Sequence, residues 1–366
     1  MLLVGGPNWR QLVREPFFDV TFVPALQLWY PEDVIRRSVR MYMPRTYERL
    51  VEGYDTVYLS YSEPRFFDHG MVAWFSDSVV EGGRGMILQG SGRFFFPWLG
   101  TSLVDVSPVE ELPGFPGGMG AVWLRVLEPE DALMSSLPWS EIGDHGWFVG
   151  AQGVKAKSGA LVLADKVPVG SGTATPFLTF WEVGGGRCLS ETPVYAVDNK
   201  EGNPFTSWEF HGDFVRNKVL YASGRYIPQD IFLLHEVGLA LERCHQIIGS
   251  LIVMEEFVSG LGADTGPLEV EIDRADGRLG EIERTYLGFE FDESLCMAES
   301  LIVGLSGAFE LAVVLKDRAM VWIYVIEWAI LTGTGVLAGS VVWALMVRRR
   351  LYRDVYSTRF SGRVWG

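Results

Sequence analysis

The sequence predicts an α/β protein: a flavodoxin-like parallel sheet with helices on both faces, followed by a helical stalk and one C-terminal transmembrane helix. Three observations carry this. Short apolar runs alternate with helical-period segments over about the first 225 residues. From about Pro228 to Lys316 the period is helical throughout. Met320–Val347 is then an apolar run whose one charged residue is Glu327.

Each element has its own local signal. Leu2-Leu3-Val4 reads as a buried strand that runs into a Gly5-Gly6-Pro7 loop. Val34–Met43 is helical and stops before Pro44. "YDTVYLSY", residues 54–61, is a second strand. "MVAWFSDSVVEGG", residues 71–83, sets Met71, Trp74, Phe75 and Val79 at helical spacing and ends on two glycines. "GMILQG" is a third strand, closed by the turn Gly90-Ser91-Gly92. From about Thr101 to Thr173 the pattern loosens, with frequent Pro and Gly as in "ELPGFPGGMGAV". "PFLTFWEVGGGRCLSETPVYA", residues 176–196, reads as a hairpin about a glycine turn, and "TSWEFHGDFVRNKVLYAS", residues 206–223, as the closing helix. In parallel sheets ligands gather at the carboxyl ends of strands. Those ends give the expected ligand-binding set Gly5, Gly6, Ser60, Gly90, Ser91 and Gly92.

The succession of strand, helix, "EGGRGMILQGSGRFF", "GGGRCLSETPVYA" and a Trp-containing helix resembles the class I glutamine amidotransferase-like domain. More narrowly, it resembles a branch of single-pass membrane proteins that carry this domain. The resemblance covers about residues 1–225. It implies a Cys nucleophile at the strand-to-turn elbow and a His base beside a Glu on a late strand. A Cys held there would have its pKa lowered by the helix N-terminus. Here the elbow position holds Ser91, and "CLSETPVYA" offers Glu191 with no His beside it. Both halves of the thiol dyad are missing, so no catalytic residue is expected.

Two rival readings remain. One is a hydrolase in which Ser91 works with His69 or His211. Gln89 and Arg93 stand at the outer glycine positions of the GxSxG elbow pattern, which argues against it. The other is a sensor for a small polar ligand at the strand ends. Gly5-Gly6 lacks the spacing and the Lys-Ser/Thr of a phosphate cradle, so no nucleotide cofactor is expected. Cys244-His245 has no second ligand pair, so no metal is expected either.

The stalk begins with a helix whose apolar face carries Ile231, Leu234, Val237, Leu241, Ile248, Leu251 and Ile252. Gly262–Pro267 breaks it, a more charged helix comes next, and a third runs on into the apolar segment. From Trp328 to Val347 there are 20 residues without a charge, ended by Arg348, Arg349 and Arg350. That length spans a bilayer, and it places Glu327 near an interface with Trp322, Tyr324 and Trp328 around it. Gly335 and Gly339 form a GxxxG spacing that permits close helix contact. The expected domains are 1–225 (α/β), 226–318 (stalk), 319–348 (span) and 349–366 (basic tail).

Net charge is −15, with six Arg and one Asp from Arg348 onward, so the acidity lies in the body. This excludes nucleic acid as a partner class and suits a membrane-anchored protein with an acidic soluble part. The basic tail places the C-terminus in the cytoplasm and the body outside; the lack of a leader at "MLLVGGPNW" argues the reverse. The three cysteines, Cys188, Cys244 and Cys296, are expected as buried free thiols, with one disulfide, Cys188–Cys244 or Cys244–Cys296, left open. The functional expectation is a non-catalytic scaffold or recognition subunit. Its expected partners are the lipid bilayer and other membrane subunits or a second copy of itself.

Overall fold

The computed structural model describes residues 1–6, 9–113, 118–142, 147–151, 153–169, 173–192, 205 and 207–360. Residues 7–8, 114–117, 193–204 and 361–366 are outside this set, with the loop after Gly6, part of the Pro/Gly-rich run and the end of the expected hairpin among them.

Among the described residues eleven strands are formed: β1 (Leu2–Gly5), β2 (Thr21–Val23), β3 (Thr56–Ser60), β4 (Gly85–Gln89), β5 (Val109–Glu111), β6 (Gly118–Val126), β7 (Trp147–Ala151), β8 (Val154–Ala156), β9 (Leu161–Pro168), β10 (Thr175–Val183) and β11 (Gly186–Glu191). Among the described residues, the helices of seven or more residues are α1 (Glu32–Tyr42), α2 (Tyr47–Gly53), α3 (His69–Val80), α4 (His211–Ala222), α5 (Ile231–Gly260), α6 (Gly266–Leu287) and α7 (Phe291–Phe360).

Nine strands form one sheet in the order β2-β1-β3-β4-β11-β10-β9-β6-β7, and β5 pairs with β8 apart from it. From β2 to β11 every pairing is parallel. From β11 to β7 every pairing is antiparallel. The sheet is therefore mixed where the sequence suggested a parallel one. Among its described residues the loosely patterned region has no long crossover helix, and antiparallel neighbours need only short turns. One such turn joins β10 to β11 at Gly184, whose φ is +60° and where a Cβ would meet Val80 O at 2.5 Å. Only glycine fits there.

Alternation along the strands sorts side chains to two faces. Leu2, Val4, Val57, Leu59, Met86, Leu88 and Cys188 pack with Ile35 and Val39 of α1, Leu50 of α2, and Val72, Phe75 and Val79 of α3. Helix α4 takes the other face. A Cβ at Gly85 would meet Ala222 O at 2.5 Å, so the glycine lets the end of α4 lie on the start of β4.

The chain divides into two compact units. The first holds Met1–Leu239 with Thr285–Asp292, and the second Ala240–Arg284 with the rest of α7. In the second unit Cys244, Ile248, Leu251 and Val258 of α5, Leu268, Ala275, Leu279 and Ile282 of α6, and Ala298, Leu301, Leu305, Ala308 and Ala312 of α7 are buried. Spacings of three and four residues make this a helical bundle core. Ile252, expected on the buried face, is exposed. Cys188 and Cys244 are buried free thiols, whereas Cys296 is free but exposed, because it falls on the outer side of α7.

Burial on α7 ends at Ala319, and from Val321 to Val347 the helix is apolar and almost wholly exposed. It is long and apolar enough to cross a membrane. The hydroxyls in this stretch are satisfied within the helix: Thr334 Oγ1 donates to Ile330 O (2.7 Å) and Ser340 Oγ to Val336 O (2.8 Å). Polar groups in hydrocarbon require such internal partners. Glu327, Gly335, Gly339 and Arg348–Arg350 all lie exposed on this helix. Helix α5 also meets the length and composition for a span, but part of it is buried in packing.

Candidate functional site

The carboxyl ends of the parallel strands converge on one edge of the sheet. There Gly6 N–H donates to Ser60 O (2.8 Å), Tyr61 N–H to Gln89 O (2.8 Å) and Gly90 N–H to Glu191 O (3.2 Å). Backbone bonds thus stitch the ends of β1, β3, β4 and β11 together. A Cβ on Gly6 would lie 2.1 Å from Ser60 Oγ, and one on Gly5, whose φ is +101°, 2.0 Å from Ser60 O. The glycines of the first loop serve this close approach. Gly5, Gly6, Ser60, Gly90 and Ser91 therefore sit at one edge, with Gly92 exposed beyond them.

A polar cluster that chain position alone does not assemble fills the α4 side of this edge. Tyr58 Oη and Ser60 Oγ both donate to Gln89 Oε1, at 2.7 and 2.6 Å. Gln89 Nε2 donates to Glu191 Oε1 at 3.1 Å. Glu191 Oε2 pairs with Lys218 Nζ, which reaches in from α4. The ammonium also lies over the rings of Tyr58 (5.0 Å) and Phe214 (4.9 Å). Tyr58, Ser60, Glu191 and Lys218 are fully buried. Burial pulls the Lys218 pKa down, and the Glu191 charge opposes that pull. Tyr58, Ser60, Gln89, Glu191 and Lys218 are thus joined in one buried hydrogen-bond and ion-pair network. The signal was in the alternation: Tyr58 and Ser60, Gln89 and Glu191 share one face of three neighbouring strands.

Lys166 of β9 lies on the same edge, with Nζ donating to Thr192 O. It is buried, and burial lowers its pKa to about 7.

Ser91 does not have the geometry of a nucleophile elbow. That motif strains the nucleophile on a sharp strand-to-helix turn. Ser91 is extended, with φ −148° and ψ 154°, and the positive φ of +49° falls on Gly92. The chain then forms a three-residue 3₁₀ turn, Gly92–Phe94, and a short helix, Phe96–Leu99. Among the described residues no hydrogen bond joins Ser91 to His69. His69 is exposed at the start of α3. His211 is buried at the start of α4, edge-on to Phe205 at 5.0 Å. Burial first and the nearby Lys218 charge second lower its pKa to about 3, so the ring is neutral at pH 7. The Cys188 thiol is in the core on the opposite face, and burial pushes its pKa up.

The strained non-glycine residue at this edge is instead Tyr61, with φ +51°, directly after β3. Its ring lies 5.9 Å from that of Phe94.

No family model matches the chain, and no curated protein matches it. Among solved structures, the cytoplasmic proteins STM3548 and STM1381 of Salmonella typhimurium are each 16% identical, over 60% of this chain and 98% of theirs, with TM-scores of 0.45 and 0.46. A ThuA-like protein from Parabacteroides merdae is 15% identical over 62% of this chain and 90% of its own, with a TM-score of 0.41. The fold assignment rests on the strand order itself.

Proposed function

We propose that this chain is a membrane-anchored, non-catalytic recognition or scaffold subunit, built on a degenerate amidotransferase-like domain. The observation that carries the reading is the buried Tyr58–Gln89–Glu191–Lys218 network. Where the resemblance calls for a His–Glu pair and a thiolate, Glu191 is instead neutralised by a buried lysine. Ser91 has an extended, unstrained backbone. The apolar α7 segment supplies the anchor, and Arg348–Arg350 at its end favour a cytoplasmic tail with the body on the other side. Exposed Gly335 and Gly339 give a face for another membrane helix or a second copy.

The test is a pull-down of full-length protein from its native membrane in mild detergent, with wild-type and Ser91→Ala chains compared by mass spectrometry. Stoichiometric partners retained by both chains are expected. A serine-reactive probe that labels Ser91, with turnover lost in Ser91→Ala, would establish the hydrolase reading instead.

A further inference from the structure

A cavity of about 1150 Å³ lies at the other edge of the parallel strands, where β2 and β3 begin; Thr21 and Thr56, the first residues of those strands, are on its wall. Ligand clefts commonly measure about 300–1,000 Å³, so it has room for a whole small molecule. Every residue of the wall belongs to the first unit. The cavity is open to solvent, since Met41, Tyr42, Tyr226, Leu287 and Phe289 all line it and all are exposed. Single exposed apolar side chains are ordinary, but five gathered on one concave wall mark a binding groove.

The backbone holds one of these rings in place at a cost. The Phe289 ring lies 5.6 Å from that of Phe17 and 5.7 Å from that of Tyr226. Helix α6 ends at Leu287, and the left-handed residue that follows is Phe289, with φ +62°, rather than the adjacent Gly288. Left-handed helix ends fall most often on glycine. A bulky residue in that conformation persists only where its surroundings impose it, and such outliers cluster at ligand sites.

The charges on the wall are uneven once their partners are counted. Asp55 is held by Arg225 at 2.7 Å and by Arg84 at 3.4 Å. Burial lowers the pKa of the Met1 ammonium and Asp19 raises it, which commits the Asp19 charge. Arg45 and Arg49, on either side of the α2 cap residue Thr46, make no ion pair among the described residues. Glu52 is then the wall carboxylate left to oppose two arginines.

We propose that this cavity binds a small aromatic acid, its ring set among Phe17, Tyr226 and Phe289 and its carboxylate paired with Arg45 and Arg49. Rings contact one another favourably with centroids about 4.5–7 Å apart, the spacing already present on this wall. The planar guanidinium fork matches a carboxylate and also stacks on aromatic faces. No bond is made or broken in the ligand. The cavity is at the opposite strand ends from the Glu191–Lys218 network, so the proposal does not depend on that edge being inactive.

The test uses the full-length chain in a non-ionic detergent, with micelles alone as the reference. The probes are 2-naphthoate, 2-naphthol and 2-naphthylmethylammonium, which share a ring system and differ in charge. Binding is read at neutral pH by ligand-observed NMR. 2-Naphthoate should bind about tenfold or more tighter than the neutral and cationic probes. The double variant Arg45→Gln/Arg49→Gln should abolish that preference. Phe289→Gly should weaken 2-naphthoate about tenfold or more, while glycine keeps the left-handed helix end. Arg37→Gln, an exposed residue of α1 outside the cavity, should bind as wild type. Ligand-free melting of the arginine variants close to wild type, as for other surface changes, confirms that they fold. No binding of 2-naphthoate above micelles alone overturns the proposal. So does equal or tighter binding of either other probe, which would leave an unselective apolar groove or give the charge choice to Glu52. Binding unaltered in the double arginine variant, or in Phe289→Gly, overturns it as well, because the site needs both the charge and the ring.

Discussion

Lys218 Nζ and Glu191 Oε2 form an ion pair between two fully buried side chains at the carboxyl end of β11. The pair commits the Glu191 charge to a buried lysine. It also predicts a stability pattern. Removing one partner strands a buried charge, which costs about 3–5 kcal/mol. Lys218→Met should therefore lower the denaturation midpoint of the full-length protein sharply. Adding Glu191→Gln to that background removes the stranded charge and keeps an acceptor for Gln89. Equilibrium unfolding of the two chains should place the double variant above the single one. A double variant no more stable than Lys218→Met would show that the pair is not the organising contact of this edge.

The glycines at the strand ends predict a second contrast. Gly5 has φ +101° and a backbone oxygen 2.0 Å from where its Cβ would go. Neither the carbonyl nor the strand can yield cheaply, so strain and overpacking add. Gly5→Ala should cost more than about 3 kcal/mol. Gly92 has φ +49° and open space around it. Gly92→Ala should cost only about 1–2 kcal/mol, from the left-handed backbone alone. Thermal melts of the two variants distinguish tight closure of the edge from a general need for glycine.

Much of the fold was legible because its signals are local. The apolar run Met86–Leu88 lies within β4, the glycine turn at 184–186 joins β10 to β11, and the helical period around Phe75 and Val79 marks α3. The 20 uncharged residues before Arg348 announce the exposed part of α7. In the antiparallel half the β10–β11 hairpin was legible, whereas the pairing of β6, β7 and β9 was not, since they arise from a Pro/Gly-rich stretch whose pairing is decided by tertiary contacts. The candidate site was half legible. Chain position alone brought Gly5, Ser60 and Ser91 to one edge. Lys218 is 27 residues from Glu191 and sits in a helix with little apolar periodicity, so nothing in its neighbourhood marks it as a partner. Arg49 and Phe289 look like an ordinary helix charge and an ordinary helix end until the cavity that gathers them is known.

Lys166 predicts an increase in stability on substitution. The side chain is buried with a backbone carbonyl as acceptor, and its pKa falls from 10.5 to about 7. Between those values the unfolded chain holds more protons than the native one, so stability rises with pH across that window. At neutral pH the buried amine is a net cost. Lys166→Met should stabilise the protein by about 1–4 kcal/mol near pH 7 and remove the slope between about pH 7 and 10. Melting temperature against pH for both chains is the measurement. A variant that melts lower at neutral pH would mean that the hydrogen bond to Thr192 O outweighs desolvation.

Two histidines of the first unit bend the pH profile in opposite directions. His211 has its pKa lowered from 6.5 to about 3, chiefly by burial. Its contribution is fully present above 6.5 and is lost as pH falls toward 3, where the unfolded chain binds the proton more readily. His235 has its pKa raised, first by its hydrogen bond with Asp213, where Nδ1 and Oδ2 are 2.6 Å apart. Glu209 Oε1, 3.5 Å from His235 Nε2, adds to this, while Arg216 shares Asp213 at 2.7 Å. The His235 contribution is fully present below 6.5 and is lost as pH rises through its native pKa. These two groups together place a stability maximum near 6.5. His211→Phe should flatten the acid side of the melting profile and leave the alkaline side, whereas His235→Asn should do the reverse. Melts of the full-length protein from about pH 4 to 9 span both windows. An acid slope unchanged in His211→Phe would show that the buried imidazole does not set the acid side of the profile.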